Sequence, residues 1–218
     1  MALEYKLVLK CLDEVDDELF RVADLPECER FHNDTQLTAV ILLLLRTESL
    51  LRSLLPLLES KNCDGFDATL RAFEESWNLA HEFRLIARHD RAMQWLARVN
   101  GTWSAEIHVL TQFAVGRGHS GPNLGHDYGV LSELAHPTRT AAENSTTLCG
   151  VRLGIEGAEA VLGTALENNE KRITYGLYRL LWLILDQDTQ FVPVPVNPQQ
   201  MPLSVKFVDE YEHVESAT

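Results

Sequence analysis

Apolar residues recur at intervals of three and four along most of the chain, which is the spacing of one face of an α-helix. Such stripes run through residues 3–23, 35–58 and 67–87, and the second is apolar on most sides, which predicts a central position for it. Similar spacing predicts a small-residue helix from Leu148 to Leu162 and a central helix from Lys171 to Leu185. No stretch alternates strictly between apolar and polar residues as a strand does. The pattern therefore predicts an all-α protein, a single helical bundle of six or seven helices.

The pattern changes near the C-terminus. Phe191 is followed by Val-Pro-Val-Pro-Val-Asn-Pro, and so many prolines exclude a helix because proline has no backbone N–H to donate. We therefore predict a helical bundle domain over residues 1–187 and an extended, proline-containing tail over 188–218. This tail crosses the bundle surface and is partly disordered at its acidic end.

The net charge changes which partners fit the chain. Nineteen Lys and Arg against 32 Asp and Glu give a net charge of −13, which argues against a general nucleic-acid coat. The acidic run Asp13–Glu18 is typical of a solvated helix face. The longest unbroken apolar run, Ala39–Leu45, is far shorter than the roughly 20 residues of a membrane span. We therefore expect a cytoplasmic protein that makes no membrane contact.

A titratable segment stands out between residues 128 and 137. Helical spacing would place Tyr128, Ser132 and His136 on one side of about two turns, together with Glu133. Pro137 then ends the helix directly after the histidine, where the negative end of the helix dipole favours a protonated imidazole. Two interpretations remain open: a functional site, or a structural histidine that caps the helix above a packed Tyr128.

The spacing Glu133-x-x-His136 also occurs in carboxylate-bridged di-iron bundles, where two such pairs and two further glutamates face one another. The chain has the same spacing at 29–32 and at 210–213, but these pairs fall in a predicted loop and in the predicted tail. The spacing alone is therefore weak support, and we predict neither a metal nor a cofactor.

Arginines form a second candidate feature. Arg84, Arg88 and Arg91 recur at helical intervals, and Arg98 extends the series. Guanidinium groups fork onto phosphate, so the stripe could line a phosphate or RNA groove. The other interpretation is a solvated face whose charge is neutralised by acids of the N-terminal helix.

The stretch from Arg84 to His89 resembles the Arg-x4-His motif of HEPN ribonucleases, which are small helical domains of toxin and antiphage systems. In that family the arginine and histidine cluster across a dimer to act on RNA. The residue after the motif's arginine is usually polar, whereas here it is Leu85. The resemblance implies metal-independent ribonuclease chemistry at Arg84 and His89.

Two segments together resemble a bacterial all-helical family of unknown function that is distantly HEPN-like. Residues 70–81 are similar to its Arg-plus-Glu helix, and residues 128–136 are similar to its Tyr-x-x-Leu-Ser-x-x-x-His segment. The resemblance covers roughly residues 35–185 and implies an α-helical domain without an assigned reaction. The positions that it matches are Arg71, Glu74 or Glu75, Tyr128, Ser132 and His136.

Two functions follow from these features. The favoured one is a helical interaction or regulatory module in which helices over 67–88 and 126–136 face each other and a buried polar cluster fixes their register. The alternative is a HEPN-like ribonuclease of a stress or antiphage system, with His136 or His89 as general acid or base and an arginine on the phosphate. We expect a homodimer and a protein partner, with RNA as the substrate under the alternative. The sequence leaves open whether the chain is an enzyme.

Overall fold

The computed structural model describes residues 4–26, 35–97, 151, 153, 154 and 156–216, and in them it confirms an all-α bundle. Short 3-10 helices occupy Ile86–Arg88 and Pro198–Gln200. No helix among these residues is both long and apolar enough to cross a membrane. The α-helices of the described residues are α1 (Tyr5–Ala23), α2 (Gln36–Glu59), α3 (Cys63–Arg84), α4 (His89–Leu96), α5 (Ala158–Leu185) and α6 (Pro202–Ser216).

Helix α2 lies at the centre of the bundle, as its apolar sequence predicts. It packs against α1, α3, α4 and α5, and Leu44, Leu51 and Leu54 are fully buried. Gly176 lets α5 approach this core closely. A Cβ atom at that position would lie 3.2 Å from Cδ1 of Leu51 and 3.3 Å from Cζ of Phe73. A larger residue would therefore require the Leu51 and Phe73 side chains, or α5 itself, to shift.

The predicted tail is extended only as far as Asn197, and beyond that residue the prediction was wrong. Pro202 to Ser216 form α6, which begins with a proline at its first position, where no backbone N–H is needed. Val194, Met201 and Phe207 are buried in the same hydrophobic core as the bundle helices. Residues 187–216, the C-terminal segment, therefore belong to the bundle.

A carboxylate of α1 holds the start of α6. Glu14 accepts hydrogen bonds from the backbone amides of Leu203 (3.1 Å) and Ser204 (2.9 Å), and from the Ser204 hydroxyl (2.8 Å). The first amides of a helix have no partner within the helix, and an acid near them also interacts favourably with the helix dipole. Glu14 thus acts as an N-cap supplied by another helix.

The charge pattern predicted that the acidic run of α1 is a solvated face. The structure shows that this prediction was wrong for part of the run. Glu18 is 3% exposed and accepts bonds from the Arg21 side chain (2.7 and 2.9 Å) and from the amide of Asn197. Burial alone raises the pKa of Glu18, but these hydrogen bonds hold it below its usual value. Arg21 also donates to the carbonyl oxygen of Pro195 at 2.7 Å. Two of the acids thus fasten the C-terminal segment.

We predict that Glu14→Ala lowers the free energy of unfolding by about 1 kcal/mol, the usual cost of removing an N-cap acceptor. Urea denaturation measures this value. Asp17→Ala is the matched control, because Asp17 is exposed on the same helix and should change stability by less than about 0.5 kcal/mol. Equal effects of the two substitutions would contradict the capping role of Glu14.

Candidate functional site

Polar side chains are concentrated in the C-terminal half of α3, where every residue from Ser76 to Arg84 is buried. Charged residues are seldom fully buried unless they are paired, so the partners of these side chains decide what they can do. We call the buried polar residues of this helix the α3 polar cluster: Glu74, Ser76, Asn78, His81, Glu82 and Arg84.

Glu74 forms a buried ion pair with Arg179 of α5. Nη1 of the arginine lies 2.8 and 2.7 Å from the two carboxylate oxygens, and the side chains are 4% and 5% exposed. Cζ of Arg179 lies 3.8 Å from the ring centre of Trp77 and 5.6 Å from that of Tyr175. Trp77 Nε1 donates to the Arg179 carbonyl oxygen at 3.0 Å. Both the charges and the aromatic rings therefore join α3 to α5.

The pair does not use all the hydrogen-bonding capacity of the cluster. Within the described residues, Nε and Nη2 of Arg179 and Oδ1 of Asn78 are buried and have no hydrogen-bond partner. The Asn78 amide nitrogen, in contrast, donates to the Glu74 carbonyl oxygen at 2.7 Å. The aromatic faces over the guanidinium offset part of the cost of the two unused N–H groups. Most of the polar side-chain atoms of the α3 polar cluster thus form contacts within the chain.

His81 packs among aromatic rings, a contact that the sequence pattern did not reveal. Its ring centre lies 5.2 Å from that of Trp77 and 6.1 Å from that of Trp182 in stacked arrangements, and 5.4 Å from that of Phe191 in a T-shaped arrangement. The i, i+4 spacing from Trp77 to His81 was a usable signal, but the other two rings are about a hundred residues away in sequence. The imidazole is 7% exposed and fills space in the core.

Arg84 has no exposed surface, although the sequence placed it on a solvated basic stripe. Its guanidinium donates to the carbonyl oxygens of Leu183, Asp186 (2.8 Å) and Val192 (3.2 Å), and lies 4.9 Å from the ring centre of Phe191. Burial lowers its pKa to about 10, although nearby Asp186 raises it. Arg84 therefore fastens the end of α5 and the C-terminal segment to α3.

The rest of the arginine stripe leaves α3 because the helix ends at Arg84. Leu85 is extended and forms an isolated antiparallel bridge with Phe191. His89, the predicted partner of Arg84, is exposed at the start of α4, whereas Arg84 is enclosed. Nε of Arg88 and Nη1 of Arg91 lie 3.0 and 2.9 Å from Oε1 of Glu82. Among the described residues, an acid of α3 thus pairs with Arg88 and Arg91, whereas the sequence pattern placed the neutralising acids on the N-terminal helix.

The remaining predicted site residues divide into two groups. Arg71 and Glu75 form a pair on α3 at 3.1 Å, with side chains 18% and 22% exposed. Tyr128, Ser132, His136 and the adjacent Glu133 lie outside the described residues, as does Arg98. The facing of helices over 67–88 and 126–136 therefore stays a prediction.

The described residues contain no group of three or more His, Cys, Asp or Glu side chains that could hold a metal ion. A cavity of about 410 Å³ lies between α1 and the C-terminal segment, away from the α3 polar cluster. Its lining consists of Glu14, Asp17, Glu18, Arg21, Asn197 and Gln200. Glu14, Glu18 and Arg21 already bind this segment, so the cavity borders a structural contact.

A titratable contact lies near the start of α3. Burial raises the pKa of Asp67 to about 6, even though Arg172 of α5 lies 3.3 Å away and lowers it, and Asp64 raises it further. The side chain of Asp67 is 13% exposed. Its proton is therefore bound in the folded chain at pH values where the unfolded chain has already released it.

We predict that this proton makes the chain more stable at pH 5 than at pH 7. The folded pKa of about 6 exceeds the ordinary 3.8, so stability falls as the pH rises through about 6. The contribution of Asp67 is about 1 kcal/mol between pH 5 and 7, and Asp67→Asn should remove it. Urea denaturation at both values tests this, with Asp17→Asn as the exposed control. An unchanged pH difference in Asp67→Asn would refute the prediction.

The buried ion pair gives a second prediction. Glu74→Gln leaves the Arg179 charge without its counter-ion and should lower the free energy of unfolding by about 3 kcal/mol. The double variant Glu74→Leu, Arg179→Met should recover at least half of that loss. Glu75→Gln breaks the more exposed pair with Arg71 and should cost less than about 1 kcal/mol. Chemical denaturation of the variants measures all three. A loss no larger in Glu74→Gln than in Glu75→Gln would contradict the structural role of the buried pair.

Comparison with protein-family models, with curated proteins and with solved structures finds no match to this chain. Its function therefore has to be inferred from the side chains themselves. The resemblance to a distantly HEPN-like bacterial family stays a prediction from the sequence.

Proposed function

We propose that this chain is a helical interaction or regulatory module in which the α3 polar cluster fixes the relative positions of the helices. The observation that carries this proposal is the enclosed ion pair between Glu74 and Arg179, whose side chains are only 4–5% exposed. A catalytic carboxylate or arginine has to reach a substrate, whereas this pair lies beneath Trp77. Such burial favours a structural role.

Arg84 supports the same proposal. Its guanidinium is spent on three backbone carbonyl oxygens and is fully enclosed, so it is not placed to contact a phosphate group. His89 is exposed on a different helix. This arrangement gives no support to a ribonuclease site at Arg84 and His89. The ribonuclease that remains as the alternative would have to use His136.

We further propose that the module acts in the cytoplasm as a homodimer with a protein partner. The first half of α5 supports this part, because it offers an exposed surface to another chain: Glu159, Ala160, Val161, Gly163 and Thr164 are all exposed. Val161 in this stretch is 58% exposed, and a second chain packed here would remove it from water. Light scattering should give the mass of two chains, and the mass of one chain would contradict the dimer.

A ribonuclease assay tests the choice between module and enzyme. The purified chain is incubated with structured and unstructured RNA, in EDTA and in Mg²⁺, beside His136→Ala and His89→Ala. We expect no cleavage above the protein-free control. We also expect His136→Ala to lower Tm by about 2–8 °C, because a structural residue that contributes 1–2 kcal/mol changes Tm by that amount in a chain of this size.

His89→Ala is the control for stability, since an exposed side chain should change Tm by less than about 2 °C. Cleavage in EDTA that His136→Ala abolishes, with Tm unchanged, would overturn the module and establish the HEPN-like ribonuclease. Cleavage that persists in His136→Ala but not in His89→Ala would place the reaction at α4 and overturn it as well.

A further inference from the structure

Three polar atoms at the contact between α3 and α5 are buried and lack a hydrogen-bond partner among the described residues. They are Nε and Nη2 of Arg179 and Oδ1 of Asn78. The two residues are 3% and 1% exposed. Buried donors and acceptors in folded proteins nearly always have a partner, which is either another protein group or an ordered water molecule. These atoms therefore mark a place where a small polar molecule can bind inside the bundle.

The two donors lie on one edge of the Arg179 guanidinium. Glu74 binds Nη1, whose distances to the two carboxylate oxygens are 2.8 and 2.7 Å. Nε–H and one N–H of Nη2 point in parallel from a different edge, and we call these two donors the Arg179 fork. Cζ of Arg179 lies over the Trp77 ring at 3.8 Å. The ring attracts the positive charge but offers no lone pair to the fork.

Asn78 brings an acceptor to the same contact. Its amide nitrogen donates to the Glu74 carbonyl oxygen at 2.7 Å, so this side chain lies beside the residue that binds Arg179. It also follows Trp77, whose Nε1 donates to the Arg179 carbonyl oxygen at 3.0 Å. Glu74 and Asn78 are four residues apart, which places them on the same side of α3. Oδ1 of Asn78 requires a donor, whereas the Arg179 fork requires an acceptor.

We propose that one internal water molecule binds at this contact. Its oxygen atom accepts hydrogen bonds from Nε and Nη2 of Arg179, and one of its O–H groups donates to Oδ1 of Asn78. An internal water molecule typically makes about three hydrogen bonds to buried polar groups, and the contact offers that number. Water is also small enough for a site between side chains that are almost completely enclosed.

An anion such as chloride fits the same atoms less well. It accepts hydrogen bonds from the Arg179 fork, but it has no hydrogen to donate, and its charge repels the carbonyl oxygen of Asn78. Arg179 also has a counter-ion already, the carboxylate of Glu74 at 2.7 Å. A neutral molecule that both donates and accepts is therefore favoured.

This inference rests on the structural role proposed for the α3 polar cluster and extends it. The ion pair with Glu74 and the hydrogen bond from Trp77 join α3 to α5 directly. The water molecule adds a bridge from another edge of the Arg179 guanidinium to Asn78, one turn further along α3. The guanidinium is then held on two edges, which restricts its rotation within the core.

Water–protein NOE spectroscopy of the ¹⁵N-labelled full chain tests the site in solution. We expect a cross-peak between Hε of Arg179 and the water resonance, with the sign of a water molecule that stays bound for longer than nanoseconds. Arg179→Lys identifies this signal by its loss. Hε of Arg84 is the internal control, because this buried guanidinium donates to three backbone carbonyl oxygens, and it should show no such cross-peak.

A matched pair of variants tests the part of Asn78. Asn78→Leu keeps the size of the side chain but removes Oδ1, and it should weaken the cross-peak at least threefold because the water molecule exchanges faster. Ser76→Ala is the control. Ser76 is also buried on α3, but its hydroxyl accepts a bond from Nε of Arg46 at 3.0 Å, so the cross-peak should stay unchanged. Circular dichroism confirms that each variant is folded.

A crystal structure of the unaltered chain tests the same site without a substitution. We expect one ordered water molecule within about 3.2 Å of Nε and Nη2 of Arg179 and of Oδ1 of Asn78. A protein group bound directly to the Arg179 fork would overturn the proposal. An anomalous peak at the fork in bromide-soaked crystals would overturn it too, because it would replace water with an anion.

Two solution results would also contradict the proposal. One is a water cross-peak that is absent at Arg179, or no stronger there than at Arg84. The other is an equal cross-peak in folded Asn78→Leu and Ser76→Ala, which would remove Asn78 from the site. The stability of Glu74→Gln is measured separately. A large loss in that variant without a water molecule at the Arg179 fork would leave the proposed function in place, so the two proposals can fail separately.

Discussion

The fold depends on the cost of burying two guanidinium groups. Arg84 and Arg179 are both buried, and an arginine without partners in a protein core is very unfavourable. Arg84 obtains its acceptors from the end of α5 and from the C-terminal segment, and Arg179 obtains its counter-ion from α3. Each arginine thus obtains these partners only when separate parts of the chain meet, so these contacts set how the helices are placed.

The same requirement explains how a proline-rich stretch becomes part of the bundle. Its backbone cannot form a helix, so other elements must bond its polar groups: Arg84 binds the Val192 carbonyl oxygen, and Glu18 binds the Asn197 amide. Phe191 then covers His81 and the Arg84 guanidinium. The stretch is therefore held in the bundle by its backbone polar groups as well as by its apolar side chains.

The sequence predicted α1, α2 and α3 from their regular apolar stripes, and it predicted α2 as their centre. It was wrong about α5, which is one helix from Ala158 to Leu185 where the pattern predicted two. It missed α6, although Leu203, Phe207 and Tyr211 follow one another at intervals of four, because the prolines just before them suggested that the extended tail continued. It also placed Arg84 in solvent. Helical periodicity shows which face of a helix is apolar, but it cannot show that acceptors about a hundred residues later will enclose a charge at the helix end.

The candidate site residues on α3 show the same limit of helical periodicity. Arg71, Glu74 and Glu75 were chosen from the sequence together, yet Glu74 is enclosed with Arg179 while the other two pair near the surface. Which of two adjacent glutamates faces the core depends on the partner helix, and residue 179 carried no signal of its own.

Amide hydrogen exchange, read by mass spectrometry, tests the central claim most directly. If Arg84 fastens the C-terminal segment to α3, residues 191–201 should exchange as slowly as the C-terminal half of α3, and Arg84→Met should speed exchange in both regions together. Fast exchange of residues 191–201 in the unaltered chain, with no change in α3 on substitution, would show a detached tail and contradict the account.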